Sequence, residues 1–273
     1  MKGRGQMAGK DFGGFVVVVT GGSTGLGRAI AVETAQRGAK AVIINYASSR
    51  DEAAETVRLV EAEGAQGVLA QGDVSDDAAC RAIAAAAEPF GKIDALFNNA
   101  GMTKFAPNHG DLDALTSDDF LRLYSVNVVG AFQMVRAARS LLEAAPQPGA
   151  VVNTSSIAAV TGIGSSVAYA ASKGAMTTMT LSLARGLAPK IRVNAVCPGF
   201  IDTPWFGKSM ADDTVNRMRE GVIRSTPLQA ASTAEDIAGA AVFLAAPASR
   251  HVTGETLLVD AGTHLGFASM AMR

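Results

Sequence analysis

The chain is poor in the residues that mark specialised architectures. Cys80 and Cys197 are its two cysteines, too few and too far apart for a disulfide framework or a cysteine-held metal. They fit reduced, buried small residues of a cytoplasmic protein. His109, His251 and His264 are scattered without ligand spacing, so no metal site is expected. Charge is sparse and balanced, with 25 Asp and Glu against 24 Lys and Arg, which leaves no electrostatic footprint for nucleic acid or an anionic membrane. No apolar run approaches the length of a membrane span. The first residues hold Gly and Lys/Arg but no apolar signal core, so residues 1–14 are expected to form a flexible arm and 15–273 a single domain.

Against these absences, 48% of the residues are hydrophobic, enough for one large core. Val16–Val19, four β-branched residues in a row, predict a strand buried on both faces. Thr20-Gly21-Gly22-Ser23-Thr24-Gly25-Leu26-Gly27 then breaks the strand and opens a helix through Ala31, Val32 and Ala35. Gly21 lets the chain turn, Gly25 lets a pyrophosphate approach the backbone, and Gly27 lets helix pack close on strand. Unpaired N–H groups at that helix start would face phosphates. The bland alternative is an ordinary strand–helix turn.

Further strands are predicted at Ala41–Asn45, Gly67–Ala70, Ile93–Phe97, Ala150–Thr154, Ile191–Val196 and Thr256–Val259. Helices alternate with them: about Asp51–Glu63, with Ala53, Ala54, Val57 and Val60 inward; Ala78–Ala87, capped by Ser75 or Asp76; and one through Leu121, Val126 and Val129 towards Leu142. Others follow at Tyr169–Leu187, about Ala211–Gly221 and Ala234–Ala245. Strand–helix alternation predicts an α/β fold, a parallel sheet with helices on both faces. Tyr169 and Lys173, i and i+4, share a helix face. A phenol with pKa ~10 is a poor acid–base catalyst at neutral pH, and a neighbouring ammonium favours its phenolate. Ser156 follows the fifth strand, at the edge where open α/β sheets bind ligands.

With Tyr169 in place, the chain resembles the short-chain dehydrogenase/reductase family, in its soluble single-domain branch that includes 3-oxoacyl-(acyl-carrier-protein) reductases. The resemblance covers Phe15 to Gly262 and rests on Thr20-Gly-x-x-x-Gly25-x-Gly27, Asn98–Asn99–Ala100–Gly101, Asn127, Ser156, Tyr169-x-x-x-Lys173 and Pro198–Gly199 followed by Thr203. It implies a three-layer Rossmann fold with a seven-stranded, mostly parallel sheet. It also implies hydride transfer between a nicotinamide and a carbonyl or alcohol carbon, with Tyr169 giving or taking the proton. Ser156, chosen over Ser155 by its spacing to Tyr169, would hold the substrate oxygen, and Asn127 would support a water-linked relay to Lys173. Alone, Tyr169 and Lys173 would be an ordinary helix pair, and Asn127 could simply bond helix backbone.

For the cofactor, the resemblance implies contacts from Gly21, Ser23, Thr24, Gly25, Leu26, Gly27, Tyr169 and Lys173. Asp73 and Val74 would meet the adenine, unless Asp73 is only a helix cap. Asn99, Ala100 and Gly101 would wall the adenine ribose, and Pro198, Gly199, Ile201 and Thr203 would flank the nicotinamide. An acid at the end of the second strand would bind the ribose 2′-OH and repel a 2′-phosphate. Here Asn45, Tyr46, Ala47, Ser48, Ser49 and Arg50 offer no carboxylate, and Ser48 and Arg50 suit a phosphate. NADP is therefore favoured, with NAD possible and Arg50 alternatively a solvated charge. Trp205 and Phe206 could be pocket wall or core, Met102, Ile157 and Ile163 could line the pocket, and Gly207–Ser225 could be a lid or ordinary packing. The segment Thr103–Thr116 is longer than in typical members. The family further implies a homotetramer, which burial of the apolar tail Leu265–Met272 would fit as well as fraying would. The expected partner is a small carbonyl or alcohol substrate, such as a 3-oxoacyl thioester. The alternative is a cofactor-sensing regulator that lost its chemistry.

Overall fold

A computed structural model describes residues 10–203 and 212–266. Seven strands form its sheet: β1 (Val16–Val19), β2 (Ala41–Tyr46), β3 (Gln66–Gln71), β4 (Ala95–Asn98), β5 (Gly149–Thr154), β6 (Ile191–Pro198) and β7 (Thr256–Val259). Their order is β3-β2-β1-β4-β5-β6-β7, and every pairing is parallel. The valines of β1 explain the layers. Val17 and Val19 join one apolar cluster with Ile30 of helix α1 (Gly25–Gln36), Val60 of α2 (Arg50–Ala62) and Ile237 of α9 (Ala234–Ala245). Val16 and Val18 point the other way, to Ile83 of α3 (Asp77–Ala85), Met134 of α5 (Ala131–Glu143) and Ala184 of α7 (Val167–Leu187). Helices α6 (Ala158–Thr161) and α8 (Asp212–Ser225) flank α7 in the chain. Burying each such Ile or Val contributes about 1.5–3 kcal/mol. The parallel sheet with helices on both faces expected from the strand–helix alternation is what forms, as the three-layer Rossmann arrangement that the resemblance implies.

The order of strands fixes the ligand position. The chain steps outward from β1 to β2 and β3, then returns to the other side of β1 as β4. The crevice at the carboxyl ends of β1 and β4 is therefore a topological switch point, where open α/β sheets bind ligands.

Several local expectations need correction. Of residues 10–14, counted with the arm, Asp11 and Phe12 pack onto the domain. Phe12 is fully buried, its ring lies 4.8 Å from that of Phe15, and Arg37 forks onto Asp11 at 2.9 and 2.6 Å. The arm's remaining residues 1–9 lie outside the described ones, as do Trp205, Phe206, residues 207–211 of the expected lid and the tail beyond Gly266. On α2, Thr56 is buried where Ala54 was expected, because Ala54 lies on the outer face. The cap of α3 is Asp76, which accepts from the Ala78 amide at 2.9 Å.

The expected long helix towards Leu142 is interrupted. Between α4 (Ser117–Tyr124) and α5 the backbone makes a π-helical turn, Ser125–Gly130. One extra residue rotates everything before it by roughly 100°, which carries Leu121 to the outer face, where it is 68% exposed. The same turn presents Asn127 inward, fully buried.

Candidate active site

A cavity of about 450 Å³ opens at the switch point. One end is the glycine turn. Gly21 and Gly25 have left-handed φ of 61° and 53°. A Cβ on Gly27 would lie 2.2 Å from the Gly21 carbonyl oxygen and one on Gly21 2.9 Å from Ala100 Cα, so close packing forces glycine at both. The first turn of α1 has no acidic residue, and Thr24 at its N-cap makes no side-chain capping bond. Backbone N–H groups there are left for an outside acceptor, at the positive end of the helix. A Cβ on Gly25 would sit 3.5 Å from Thr203, so Thr203 lies beside the turn. This cradle fits the pyrophosphate of a dinucleotide.

The turn is held by residues with no glycine signature. Thr20 Oγ1 accepts from the amides of Asn99 and Ala100 at 3.0 and 2.9 Å, tying β1 to β4. Asn45 Oδ1 accepts from the Gly21 amide at 3.2 Å, and its Nδ2 donates to the carbonyls of Ala70 and Gly72 at 3.1 and 2.9 Å. Arg28, absent from the sequence expectations, spans the Ser23 and Glu52 carbonyls at 2.7 and 2.9 Å and Thr56 Oγ1 at 2.9 Å. An arginine after a glycine turn has no sequence signal that separates such bracing from solvation.

At the other end, α7 presents Tyr169 and Lys173 to the cleft. Tyr169 is half-buried and faces the cavity. Burial pushes the phenol up to about 12, and a hydrogen bond with Ser156 pulls the other way. Burial pulls the Lys173 ammonium down to about 8. Lys173 Nζ donates to the Thr154 carbonyl at 2.7 Å and lies 5.7 Å from the Tyr169 ring centroid. The two neighbouring serines divide their tasks. Ser155 Oγ donates to the Lys173 carbonyl at 3.0 Å and pairs with Thr177 Oγ1 at 3.1 Å, which fixes α7 on β5. Ser156 accepts from the Ala158 amide at 3.1 Å, which leaves its proton for another partner.

Asn127 approaches Lys173 only indirectly. Its Oδ1 accepts from the Met102 amide at 2.8 Å, and its Nδ2 donates to the Met102 carbonyl and Ser172 Oγ, both at 3.0 Å. Its side chain therefore holds backbone. Gly101 lies between, where a Cβ would be 3.3 Å from Asn127 Oδ1 and 3.7 Å from Lys173 Nζ.

Of the expected contacts, Gly21, Ser23, Thr24, Gly25, Leu26, Asn99, Ala100, Gly101, Ser156, Tyr169, Lys173, Pro198, Gly199, Ile201 and Thr203 all line this one cavity. Eight others lie beyond its lining, among them Gly27, packed under the turn, and Asn127, buried behind Met102. Asn45 and Tyr46 are buried at the end of β2, Ser48 and Arg50 are exposed around the start of α2, and Asp73 and Val74 follow β3. Asp73 is not the helix cap; its carboxylate accepts from the Ser75 amide and hydroxyl at 2.9 and 2.8 Å. Val74 is gripped by α5, with Gln133 Nε2 donating to its carbonyl at 3.0 Å. Met102 lines the cavity, whereas Ile157 is buried elsewhere and Ile163 is 70% exposed outside it. Thr103, Phe105 and Thr154 line it without having been expected. Thr154 acts through its carbonyl, which carries no side-chain signal.

The glycine cradle stands at one end of the cleft and the adjoining Ser–Tyr–Lys set at the other, and the chain as a whole is matched by known proteins. The family model described as enoyl-(acyl carrier protein) reductase covers residues 21–264. The chain belongs to the short-chain dehydrogenase/reductase family. It is 39% identical over 254 residues to an L-rhamnose 1-dehydrogenase (NAD(P)(+)) of Sphingomonas sp. (strain SKA58), covering 92% of this chain and 97% of that one. It is 36% identical over 255 residues to an L-2,3-butanediol dehydrogenase of Corynebacterium glutamicum, covering 90% and 97%. A blue fluorescent protein from a metagenomic library, solved in complex with NADPH, superposes with a TM-score of 0.81 at 35% identity, covering 92% and 98%. This short-chain dehydrogenase/reductase is thus an oxidoreductase of a family that uses NAD(P) on small molecules. Among its described residues no helix is long and apolar enough to cross a membrane, and no cluster could hold a metal.

Proposed function

We propose that this protein is an NADP-preferring, cytoplasmic dehydrogenase/reductase that interconverts a ketone and a secondary alcohol. The observation that carries this is the meeting of Ser156, Tyr169 and Lys173 at the far end of the cleft that begins at the glycine turn. The bound dinucleotide would supply or take the hydride. The glycine turn and α1 would hold its phosphates, and Thr203, Ile201 and Pro198–Gly199 its nicotinamide end. Ser156, with its proton free of the Ala158 amide, would donate to the substrate oxygen. With its phenol held at about 12, Tyr169 carries a proton at neutral pH and can give it to an alkoxide. In the oxidising direction the Lys173 ammonium beside it favours phenolate. Asn127 supports the arrangement by fixing Met102 and the helix of Tyr169 through Ser172, whose hydroxyl donates to the Tyr169 carbonyl at 2.8 Å.

Two finer points belong to the same proposal. Preference for NADP rests on Ser48 and Arg50, exposed after β2 with no carboxylate before Asp51. A homotetramer would cover apolar side chains left outside, such as Leu121, Val129 and Phe132. For substrate, the relatives named for a sugar and a butanediol stand beside the 3-oxoacyl thioester as candidates.

The test is a titration of the protein and of Tyr169→Phe with NADPH and NADH, followed by turnover on ketones and alcohols. We expect tighter NADPH binding, unchanged in Tyr169→Phe, with turnover reduced at least about a thousandfold. Retained turnover would remove Tyr169 from its role, and tighter NADH binding would reverse the cofactor assignment.

A further inference from the structure

The stretch between β4 and α4, residues 103–116, contributes Thr103 and Phe105 to the cleft wall. It is also stitched to a second loop. Thr103 Oγ1 is hydrogen-bonded to Ser165 Oγ, the Ala106 amide donates to the Ser165 carbonyl at 2.8 Å, and His109 Nε2 lies 3.2 Å from the Gly164 carbonyl oxygen. A carbonyl only accepts, so His109 Nε2 carries the hydrogen. The three contacts converge on two adjacent residues.

Those residues lie against the catalytic candidate. A Cβ built on Gly164 would be 3.4 Å from Tyr169 Cδ1 and 3.0 Å from the Ala158 methyl, so the loop lies beside the tyrosine ring with a gap that one added methyl would fill. The next residue, Ser166, is the N-cap of α7, and its Oγ accepts from the Tyr169 amide at 3.1 Å. The backbone of Tyr169 is therefore held, and its ring bordered, by the segment Gly164–Ser166, and that segment is held from outside by the 103–116 strap. The far end of the strap is fixed by the Thr116–Asp119 capping box and the Lys104–Asp119 ion pair at 3.3 Å.

We infer that Thr103 and His109 are positioning residues for Tyr169, acting through the Gly164–Ser165 loop. This rests on the proposed acid–base role of Tyr169. With the latch closed, the ring has one seat, facing Ser156. With it open, Gly164 is free to lift, and the phenol samples positions from which no proton reaches the substrate oxygen. A misplacement of about 1 Å at a reacting group can cost on the order of a hundredfold in rate. The strap is thus a wall of the cleft and a clamp on its chemistry.

The experiment compares Thr103→Val, Ser165→Ala, the double variant, Thr103→Ser and His109→Ala with the parent protein. Amide hydrogen exchange at Ala106 and Tyr169 is measured alongside steady-state kinetics with a ketone that the parent reduces. We expect exchange at both amides to rise about tenfold or more in Thr103→Val and Ser165→Ala. We also expect kcat to fall about tenfold, with cofactor affinity and melting temperature little changed. His109→Ala should act in the same direction. Because the two hydroxyls form one contact, the double variant should be no worse than either single one, and Thr103→Ser should restore the parent values. Additive losses, unchanged exchange, or an effect confined to KM would overturn the inference. If the parent turns over no ketone, the proposed function falls while the exchange at Tyr169 still decides whether the latch exists.

Discussion

Lys173 is a cation placed where burial opposes its charge, and that opposition has a measurable sign. Its ammonium is drawn from 10.5 down to about 8. Between those values the unfolded chain keeps a proton that the folded one has released, so stability from this site rises with pH through the window and is lost as pH falls to 8. Removing the charge should therefore help folding most at neutral pH. In urea unfolding, Lys173→Met should gain stability over the parent at pH 7, and the gain should shrink by on the order of 2 kcal/mol by pH 10.5. Turnover should be lost at both. A gain independent of pH would mean that the ammonium is better solvated than its surroundings suggest. The site residues were largely legible in the sequence, because Tyr169 and Lys173 sit at helical spacing and the glycines carry steric duties that no other residue meets. The bracing partners were not. The Thr154 carbonyl is backbone, and Thr103, Ser165 and His109 are ordinary loop residues until folding brings positions about sixty apart into contact.

At the scale of elements, most strands and helices followed their periodicities, with ends shifted by a residue or two as backbone pairing ran past the apolar run. The helix expected at about Ala211–Gly221 runs on to Ser225, and the helix through Val126 is interrupted. A π turn has no signature in hydrophobic pattern, so the single continuous helix expected through Leu121, Val126 and Val129 is broken, and Leu121 lies on the outside. Another feature below sequence resolution is the anchoring of α9. Arg192, on β6 and almost fully buried, faces no carboxylate among its hydrogen-bond partners. Its Nη1 donates to the carbonyls of Leu244, Ser249 and Val252 at 2.9, 3.1 and 3.1 Å, and its Nη2 to that of Ala245 at 3.3 Å. The guanidinium thus gathers the end of α9 and the turn after it, as a fan of N–H groups can and a single ammonium cannot. Arg192→Lys should destabilise the protein by about 2–4 kcal/mol, because carbonyls left without a donor cannot recover water. Urea unfolding at neutral pH reads this directly, and a loss below about 1 kcal/mol would show that the carbonyls find other donors.

At the scale of the whole molecule, the sheet is not uniformly sewn. β1 and β4 share three paired positions, Val17 with Ala95, Val18 with Leu96 and Val19 with Phe97, whereas the other neighbours share four to six. Thr20 and Asp94 add side-chain ties at the two ends, the latter accepting from the Val16 amide at 2.7 Å. This seam is also the switch point, so a dinucleotide lying in the cleft would touch both sides of it. Binding to the folded form alone adds about 2.7 kcal/mol at a ligand concentration a hundred times Kd. NADPH at that excess should raise the melting temperature and slow proteolysis, and an unchanged melting temperature would contradict the assignment of the cleft. A dinucleotide bound there would act as a rivet across the shortest join in the sheet. The lifetime of the protein in a cell would then follow the size of the nucleotide pool, so that scarcity of the dinucleotide would thin out the protein as well as idle it.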